Sequence, residues 1–201
     1  MALLSLGVGH RDEVVIPALC FGTLASAILA VGAIPKIVDV DPKTWGLPRA
    51  VMPHYLNRRT KAVVPVHLYG EDAGDFRGMG VPVIEDACES LGFQKPRGDI
   101  ACYSFYGNKV LTAGEGGMIC GAVGNAAEYR DGGFDADYRH KTPGLNYRMT
   151  NIQAAIALAQ LERMEALLAP RRRNVEIYSR SITGRGRWMF AAQVDDPRGL
   201  A

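Results

Sequence analysis

The sequence predicts an α/β fold in which a mostly parallel sheet is flanked by helices. Short apolar runs rich in valine and isoleucine, typical of buried strands, alternate with segments of helical composition. This alternation is typical of a parallel sheet, because parallel neighbours need crossover connections that are usually helices. The hydrophobic fraction of 48% and the charged fraction of 22% are those of a globular protein that can bury a core.

The strands and helices are predicted in order from these runs and their end signals. The predicted strands cover residues 14–16, 36–40, 61–67, 81–84, 100–105, 118–120 and 188–194. The predicted helices cover residues 24–31, 51–57, 126–130, 150–168 and 171–181, after the tail of a helix at 2–6. Thr23 is the expected N-cap of the helix at 24–31, and Gly32 ends that helix. The segment 72–80 should carry a crossover, although its glycines make it a poor helix.

The clearest helix is the one predicted at 150–168. Thr150 and Gln153 form a predicted capping box at its beginning. Ile152, Ile156 and Leu161 belong to an apolar stripe at helical spacing. This combination of a cap and a stripe predicts an amphipathic helix.

Composition and charge exclude several classes of function. The formal net charge of +2 gives no reason to expect nucleic acid as a partner, and the arginines at 171–173 lack interleaved aromatic residues. The four histidines are scattered without metal-ligand spacing. The four cysteines form no CxxC pair, which predicts free thiols in a reducing cytoplasm. Residues 14–35 carry no charge, but prolines and glycines interrupt them, so a strand, a loop and a buried helix are preferred to a membrane span.

Two polar residues stand just beyond predicted strand ends, where ligands bind in open α/β sheets. Asp86 follows the strand at 81–84, and Lys109 follows the strand at 100–105. A lysine can form an imine with an aldehyde cofactor, and a carboxylate can keep a pyridine nitrogen protonated. The pair therefore predicts a site for pyridoxal 5′-phosphate (PLP), with Lys109 as the catalytic residue.

Both residues also have an ordinary structural alternative. A lysine after an apolar strand is usually a solvated loop residue, and an aspartate there can be only a helix N-cap. The Ser-Phe-x-x-x-Lys spacing from Ser104, with the glycine-rich turn 114–117 beyond it, favours the cofactor role for Lys109. The assignment of Asp86 depends on that of Lys109, and Glu85 beside it belongs to the opposite side of the pleat.

Several collinear motifs together resemble the DegT/StrS-type sugar aminotransferases, a family with the aspartate aminotransferase (type I) PLP-dependent fold. The nearest likeness is to perosamine-synthase-like members. The matching stretches are DEVVIP (12–17), VDVDP (38–42), PVHLYG (65–70), IEDACES (84–90), residues 98–118 and NYRMTNIQAA (146–155). The likeness extends from the first residues to about Ser181, and more faintly through 188–196.

The resemblance implies the activity and the partners of the chain. Lys109 is the lysine that binds the cofactor aldehyde covalently, and Asp86 pairs with the pyridinium nitrogen. The implied reaction moves an amino group from glutamate to a keto nucleotide-sugar, in amino-sugar or cell-surface polysaccharide biosynthesis. The implied assembly is a cytoplasmic homodimer with small-molecule substrates and no nucleic-acid or membrane partner.

The resemblance also implies four further cofactor-binding residues. Glu89 falls near the phenolic oxygen of the cofactor, and Ser104 binds its phosphate. Phe21 occupies the aromatic position that stacks on the ring, although a place in the core is an equally good interpretation. Asn146 reaches the phosphate bound by the partner subunit across the dimer.

The sequence departs from the family pattern at both ends. Relatives begin well upstream, with a Gly-Thr turn that cradles the phosphate, and continue into a complete small domain. Residues 1–170 are therefore expected to form the cofactor-binding large domain without its N-terminal segment. Residues 171–201 are expected to form a connecting helix and the start of an incomplete small domain. An alternative follows: a truncated, catalytically inactive homologue that acts as a binding or assembly partner. A dehydratase on this fold ranks low, because such relatives replace the lysine that is present here as Lys109.

Overall fold

Six strands form the sheet at the centre of the molecule. The computed structural model describes residues 1–194, so the last part of the expected small domain, 195–201, lies outside the described residues. The strands are β1 (Glu13–Pro17), β2 (Ile34–Val38), β3 (Thr60–Val63), β4 (Ile84–Asp86), β5 (Ile100–Ser104) and β6 (Gly117–Gly121). A separate small hairpin pairs β7 (Gly184–Arg185) with β8 (Ala191–Ala192).

The strand order confirms the predicted mostly parallel sheet. The order β2-β1-β3 is parallel throughout, and β4 pairs in parallel with β5. Two parallel bridges, Val63 with Val83 and Val66 with Asp86, join β3 to the β4 segment. Only β6 runs antiparallel, because the glycine-rich turn before it brings the chain straight back along β5.

Helices and connecting segments cover the faces of the sheet. The helices are α1 (Ala2–Ser5), α2 (Thr23–Ala30), α3 (Met52–Tyr55), α4 (Ala126–Arg130), α5 (Asn151–Leu161) and α6 (Met164–Ser179). Alternate residues of β1 enter two different cores, as the strand period of two requires. Val14 packs in the core that contains Ile28 of α2, whereas Val15 packs in the core that contains Met52 of α3. None of these helices within 1–194 has the length and apolar character needed to cross a bilayer.

The helix boundaries differ from the prediction at several places. The helix predicted at 150–168 ends at Leu161, and the helical segment predicted at 51–57 is the shorter α3. Thr23 is not an N-cap but the first residue of α2, and no side chain caps that helix. The last helix begins at Met164, not at Arg171, and continues through Pro170. The chain can do this because proline removes only one helical hydrogen bond, while Leu168 on the same helix is buried in the core.

Two other segments were predicted with better success. The capping box forms as expected: the Thr150 hydroxyl accepts the Gln153 N–H, and the Gln153 side chain accepts the Thr150 N–H. The segment 72–80 contains no helix, as its glycines indicate. The apolar stripe of α5, however, is not covered by the described chain, since the Ile152 side chain is 75% exposed.

Helix α6 packs against Gly92, in the loop after β4. The backbone of Gly92 is in the left-handed region, with φ +81. A Cβ atom at this position would lie 2.6 Å from Leu168 Cδ1 and 2.9 Å from Met164 Cε. Both features require glycine, because a side chain would be strained and would collide with α6.

A buried polar pair fastens the β4 strand to the loops around it. Glu85 Oε2 lies 3.3 Å from His67 Nε2, and both side chains are buried. The Glu85 carboxylate also accepts the backbone N–H groups of Arg97 (3.0 Å) and Gly98 (2.9 Å). His67 Nδ1 accepts the N–H of Ala73 at 3.2 Å. Burial favours the neutral acid, but the interactions with His67 and the two amides outweigh it and hold the pKa of Glu85 below its usual range.

Replacing Glu85 tests this pair. Glu85→Gln should lower the free energy of unfolding by about 2–3 kcal/mol at pH 7, because it leaves buried donors imperfectly paired. The folded pKa of Glu85 is lower than the unfolded value of about 4.3, so the stabilisation is present above that pH and is lost as pH falls through the folded pKa. Urea unfolding at pH 7 and at successively lower pH should therefore show the two proteins converging in acid. Exposed Glu165→Gln is the matched control, with an expected change below about 0.5 kcal/mol; equal losses for both variants would contradict the prediction.

Candidate active site

The parallel pairing of β4 and β5 brings the predicted site residues to one edge of the sheet. Asp86 is the last residue of β4 and lies opposite Cys102 of β5. Ser104 ends β5 two residues further along. Lys109 follows in a tight turn, in which the Lys109 N–H donates to the Tyr106 carbonyl at 3.0 Å. The carboxyl ends of neighbouring strands therefore carry an acid, a hydroxyl and an amine together.

Lys109 is held by an acidic side chain and an aromatic ring. Its side chain is only 14% exposed, and its Nζ atom lies 3.5 Å from Glu89 Oε1. The same ammonium lies 4.1 Å from the ring centroid of Trp188, where the negative face of the indole attracts a cation. Glu89 is fixed in turn, because its Oε2 accepts the N–H of Tyr69 at 2.6 Å. Lys109 is therefore not a solvated loop residue.

Asp86 is half-buried and has no cationic partner among residues 1–194. Its Oδ1 accepts the N–H of Cys88 at 3.1 Å. Among the ion pairs formed within residues 1–194, none includes Asp86. The hydrogen bond from the Cys88 N–H is of the kind that an aspartate accepts at a helix N-cap. It leaves the negative charge of Asp86 available to a cationic ligand.

Asp86 and Lys109 act on a common neighbour. Burial raises the pKa of the Cys88 thiol, the Asp86 carboxylate raises it further, and the Lys109 ammonium lowers it. Burial, followed by the same Asp86 charge, also raises the pKa of Cys20, which lies in the loop after β1. The Cys88 thiol therefore lies within electrostatic range of both the acid and the amine.

The loop between Ser104 and the next strand is closed by its own hydrogen bonds. The Phe105 N–H donates to Gly116 at 2.9 Å, and the Phe105 carbonyl accepts the Ala113 N–H at 2.9 Å. The Ser104 hydroxyl oxygen accepts the N–H of Tyr106 at 3.2 Å, which leaves its own O–H free to donate. The glycine-rich turn therefore fixes both Ser104 and Lys109.

Phe21 and Asn146 are both exposed. Phe21 precedes α2 and is 74% exposed, which rules out the core position. Asn146 is exposed, and its Oδ1 accepts a hydrogen bond from Arg148 at 3.0 Å. Neither side chain hydrogen-bonds to Asp86, Glu89 or Lys109 in the part of the chain that the structure describes, and their cofactor roles stay predictions.

Tyr69 and Trp188 are site neighbours that the sequence did not reveal. Tyr69 has a left-handed backbone, with φ +54. Its carbonyl accepts the N–H groups of Arg187 (2.7 Å) and Trp188 (2.9 Å), while its own N–H binds Glu89. No local pattern could have indicated the contact between Trp188 and Lys109, because it joins distant parts of the chain. In residues 1–194 no group of histidine, cysteine or carboxylate side chains could hold a metal ion.

The chain is similar to known sugar aminotransferases over most of its length. GDP-perosamine synthase of Caulobacter vibrioides is 42% identical over 204 residues, which cover 92% of this chain and 55% of that protein. The crystal structure of DesV from S. venezuelae has a TM-score of 0.88 at 27% identity and covers 99% of this chain and 62% of that one. NtdA from Bacillus subtilis, solved with bound cofactor PMP, has a TM-score of 0.81 at 30% identity and covers 90% of this chain and 45% of that one.

These relatives are longer than the present chain, which spans about half the length of the curated relatives it matches. The family model described as DegT/DnrJ/EryC1/StrS aminotransferase matches residues 1–197. This match includes every strand of the sheet and every residue of the site described above. The chain belongs to the DegT/DnrJ/EryC1/StrS aminotransferase family.

Proposed function

We propose that the chain is a PLP-dependent aminotransferase that moves an amino group from glutamate to a keto nucleotide-sugar in amino-sugar or cell-surface polysaccharide biosynthesis. The observation that carries this proposal is the shielded Lys109 ammonium at the sheet edge that also presents Asp86. The relative named GDP-perosamine synthase supports a nucleotide-sugar substrate.

The residues at the sheet edge have the chemistry that PLP requires. Lys109 supplies the amine for the aldehyde, and Asp86 supplies a carboxylate without a cationic partner in residues 1–194 for the protonated ring nitrogen. Ser104 supplies a free O–H for a phosphate oxygen. Phe21 offers an exposed aromatic face to a flat ring. The donor set therefore fits the cofactor.

Each residue then has a distinct task. When bound, PLP supplies an electron sink that stabilises negative charge on the carbon beside the amine. Asp86 holds a proton at the pyridine nitrogen, and Glu89 lies beside the lysine to orient it. Lys109 Nζ, once released, is the base that moves a proton at the reacting carbon. The closed loop 105–116 keeps Ser104 and Lys109 in fixed relation during these movements.

The assembly and the location are parts of the same proposal. Residues 1–170 serve as the cofactor-binding domain and the helix that includes 171–179 begins the connection to a small domain. Asn146 acts on the partner subunit of a homodimer, which its exposure permits. The cytoplasm is the proposed compartment, and the absence of disulfides among Cys20, Cys88, Cys102 and Cys120 supports it.

The first test is the colour of the protein. Wild-type protein loaded with PLP should be yellow, and glutamate should bleach it. Lys109→Ala should lose the covalently retained cofactor after borohydride treatment and should lower transamination at least about 100-fold, because the base is gone. Exposed Lys141→Ala is the matched control and should behave as wild type. Colour that survives Lys109→Ala unchanged would exclude the proposed role, whereas colour without any response to amino donors would favour the inactive homologue.

The second test concerns the homodimer. Helix α5 exposes four large apolar side chains, Ile152, Ile156, Leu158 and Leu161, and uncovered apolar surface of this kind is typical of a subunit interface. Ile152→Asp should yield a monomer in sedimentation experiments, because a dimer would have to bury an unpaired carboxylate.

The matched control for this test is Ile177→Asp on α6, an exposed isoleucine outside α5 (47% exposed, against 75% for Ile152). This variant should sediment as wild type does. A wild-type monomer, or a dimer that Ile152→Asp leaves intact, would show that α5 is not the subunit interface.

A further inference from the structure

The Lys109 ammonium has two neighbours that both favour a cation. Glu89 Oε1 lies 3.5 Å from Nζ, and the Trp188 ring centroid lies 4.1 Å from it. A carboxylate and the face of an indole ring attract an ammonium more strongly when water is largely excluded. Both neighbours therefore contact the lysine in its ammonium form, which cannot attack an aldehyde.

Trp188 is placed firmly enough to act in this way. Its side chain is 6% exposed and packs in a core cluster with Leu168. The indole N–H donates to the carbonyl of Asn108 at 3.3 Å, in the same turn as the lysine. The Trp188 backbone N–H donates to Tyr69, and its carbonyl accepts a hydrogen bond from Arg171 at 3.1 Å. The indole hydrogen bond to Asn108 and the backbone hydrogen bonds with Tyr69 and Arg171 therefore hold the Trp188 ring beside Lys109.

We propose that Trp188 is a positioning residue whose ring face, together with Glu89, forms a resting seat for the free Lys109 ammonium and so competes with the covalent link to PLP. The inference rests on the proposed function. It extends that function by assigning a part of the site to Trp188, in the chain beyond 170.

The competition follows from the chemistry of capture. The Lys109 ammonium must first lose one proton to water. Its nitrogen then bonds to the aldehyde carbon of PLP, and the aldehyde oxygen leaves as water. A contact made by the ammonium before capture and not after it raises the free-energy cost of capture by the strength of that contact. Removing the contact therefore makes capture more favourable.

The experiment compares two substitutions of Trp188 in the full chain. Trp188→Leu removes the aromatic face, whereas Trp188→Phe keeps one; both lose the indole hydrogen bond to Asn108. We expect Trp188→Leu to hold PLP on Lys109 about fivefold more tightly, equivalent to about 1 kcal/mol, as measured by borohydride trapping against PLP concentration. Trp188→Phe should stay close to wild type.

A purely structural role for Trp188 would give the opposite result. Loss of packing would weaken PLP capture in both variants, and more in Trp188→Leu. Equal behaviour of the two variants, or weaker capture by Trp188→Leu, would overturn the proposal. Thermal unfolding of each variant shows whether the comparison is made on folded protein.

A second measurement needs no cofactor. The chain contains two tryptophans, so Trp45→Phe leaves Trp188 as the only tryptophan whose emission is followed. In that background, Lys109→Met should shift the emission of Trp188, since it removes a positive charge from the ring face, whereas exposed Lys141→Met should not. An unchanged emission would overturn the proposed contact between the Lys109 ammonium and the Trp188 ring. If wild-type protein captures no PLP, the proposed function fails. The fluorescence result alone then decides whether the Lys109 ammonium rests against the Trp188 ring.

Discussion

The register between β4 and β5 is the constraint on which the rest of the site depends. With Asp86 opposite Cys102, β4 ends at Asp86 and β5 ends two residues further on at Ser104, so the chain leaves both strands at one edge of the sheet. A shift by one residue would exchange the faces of Glu85 and Asp86, placing the latter in the core. The buried partners of Glu85 make that shift costly, because its carboxylate would leave His67 and two backbone amides behind.

Two adjacent carboxylates therefore have opposite fates. Glu85 has a structural role, because it is buried and its carboxylate accepts hydrogen bonds from two backbone amides. Asp86 accepts a backbone amide and joins no ion pair within residues 1–194. Lys109 differs from both, because its ammonium contacts the Glu89 carboxylate and the face of the Trp188 ring. The fold thus separates the charges it needs for stability from those it keeps for chemistry.

Sequence pattern predicted the parts of the molecule that depend on local order. Valine-rich runs predicted the strands, and the Thr150–Gln153 cap predicted the start of α5, because backbone and nearby side chains decide both. The placement of Asp86 and Lys109 at strand ends was predicted as well. The continuation of α6 through Pro170 was not, since the burial of Leu168 overrides a local helix breaker. The contact between Trp188 and Lys109 also depends on tertiary packing, which no periodicity encodes.

Gly92 has a consequence for which substitutions the chain tolerates. No side chain stands between its backbone and Leu168, so the helix that leads to Trp188 packs directly against the loop after β4. A Cβ atom here would lie 2.6 Å from Leu168 Cδ1, and φ +81 would strain a residue that carries one. The missing side chain at position 92 therefore helps to set how closely the C-terminal helix, and Trp188 beyond it, can be held.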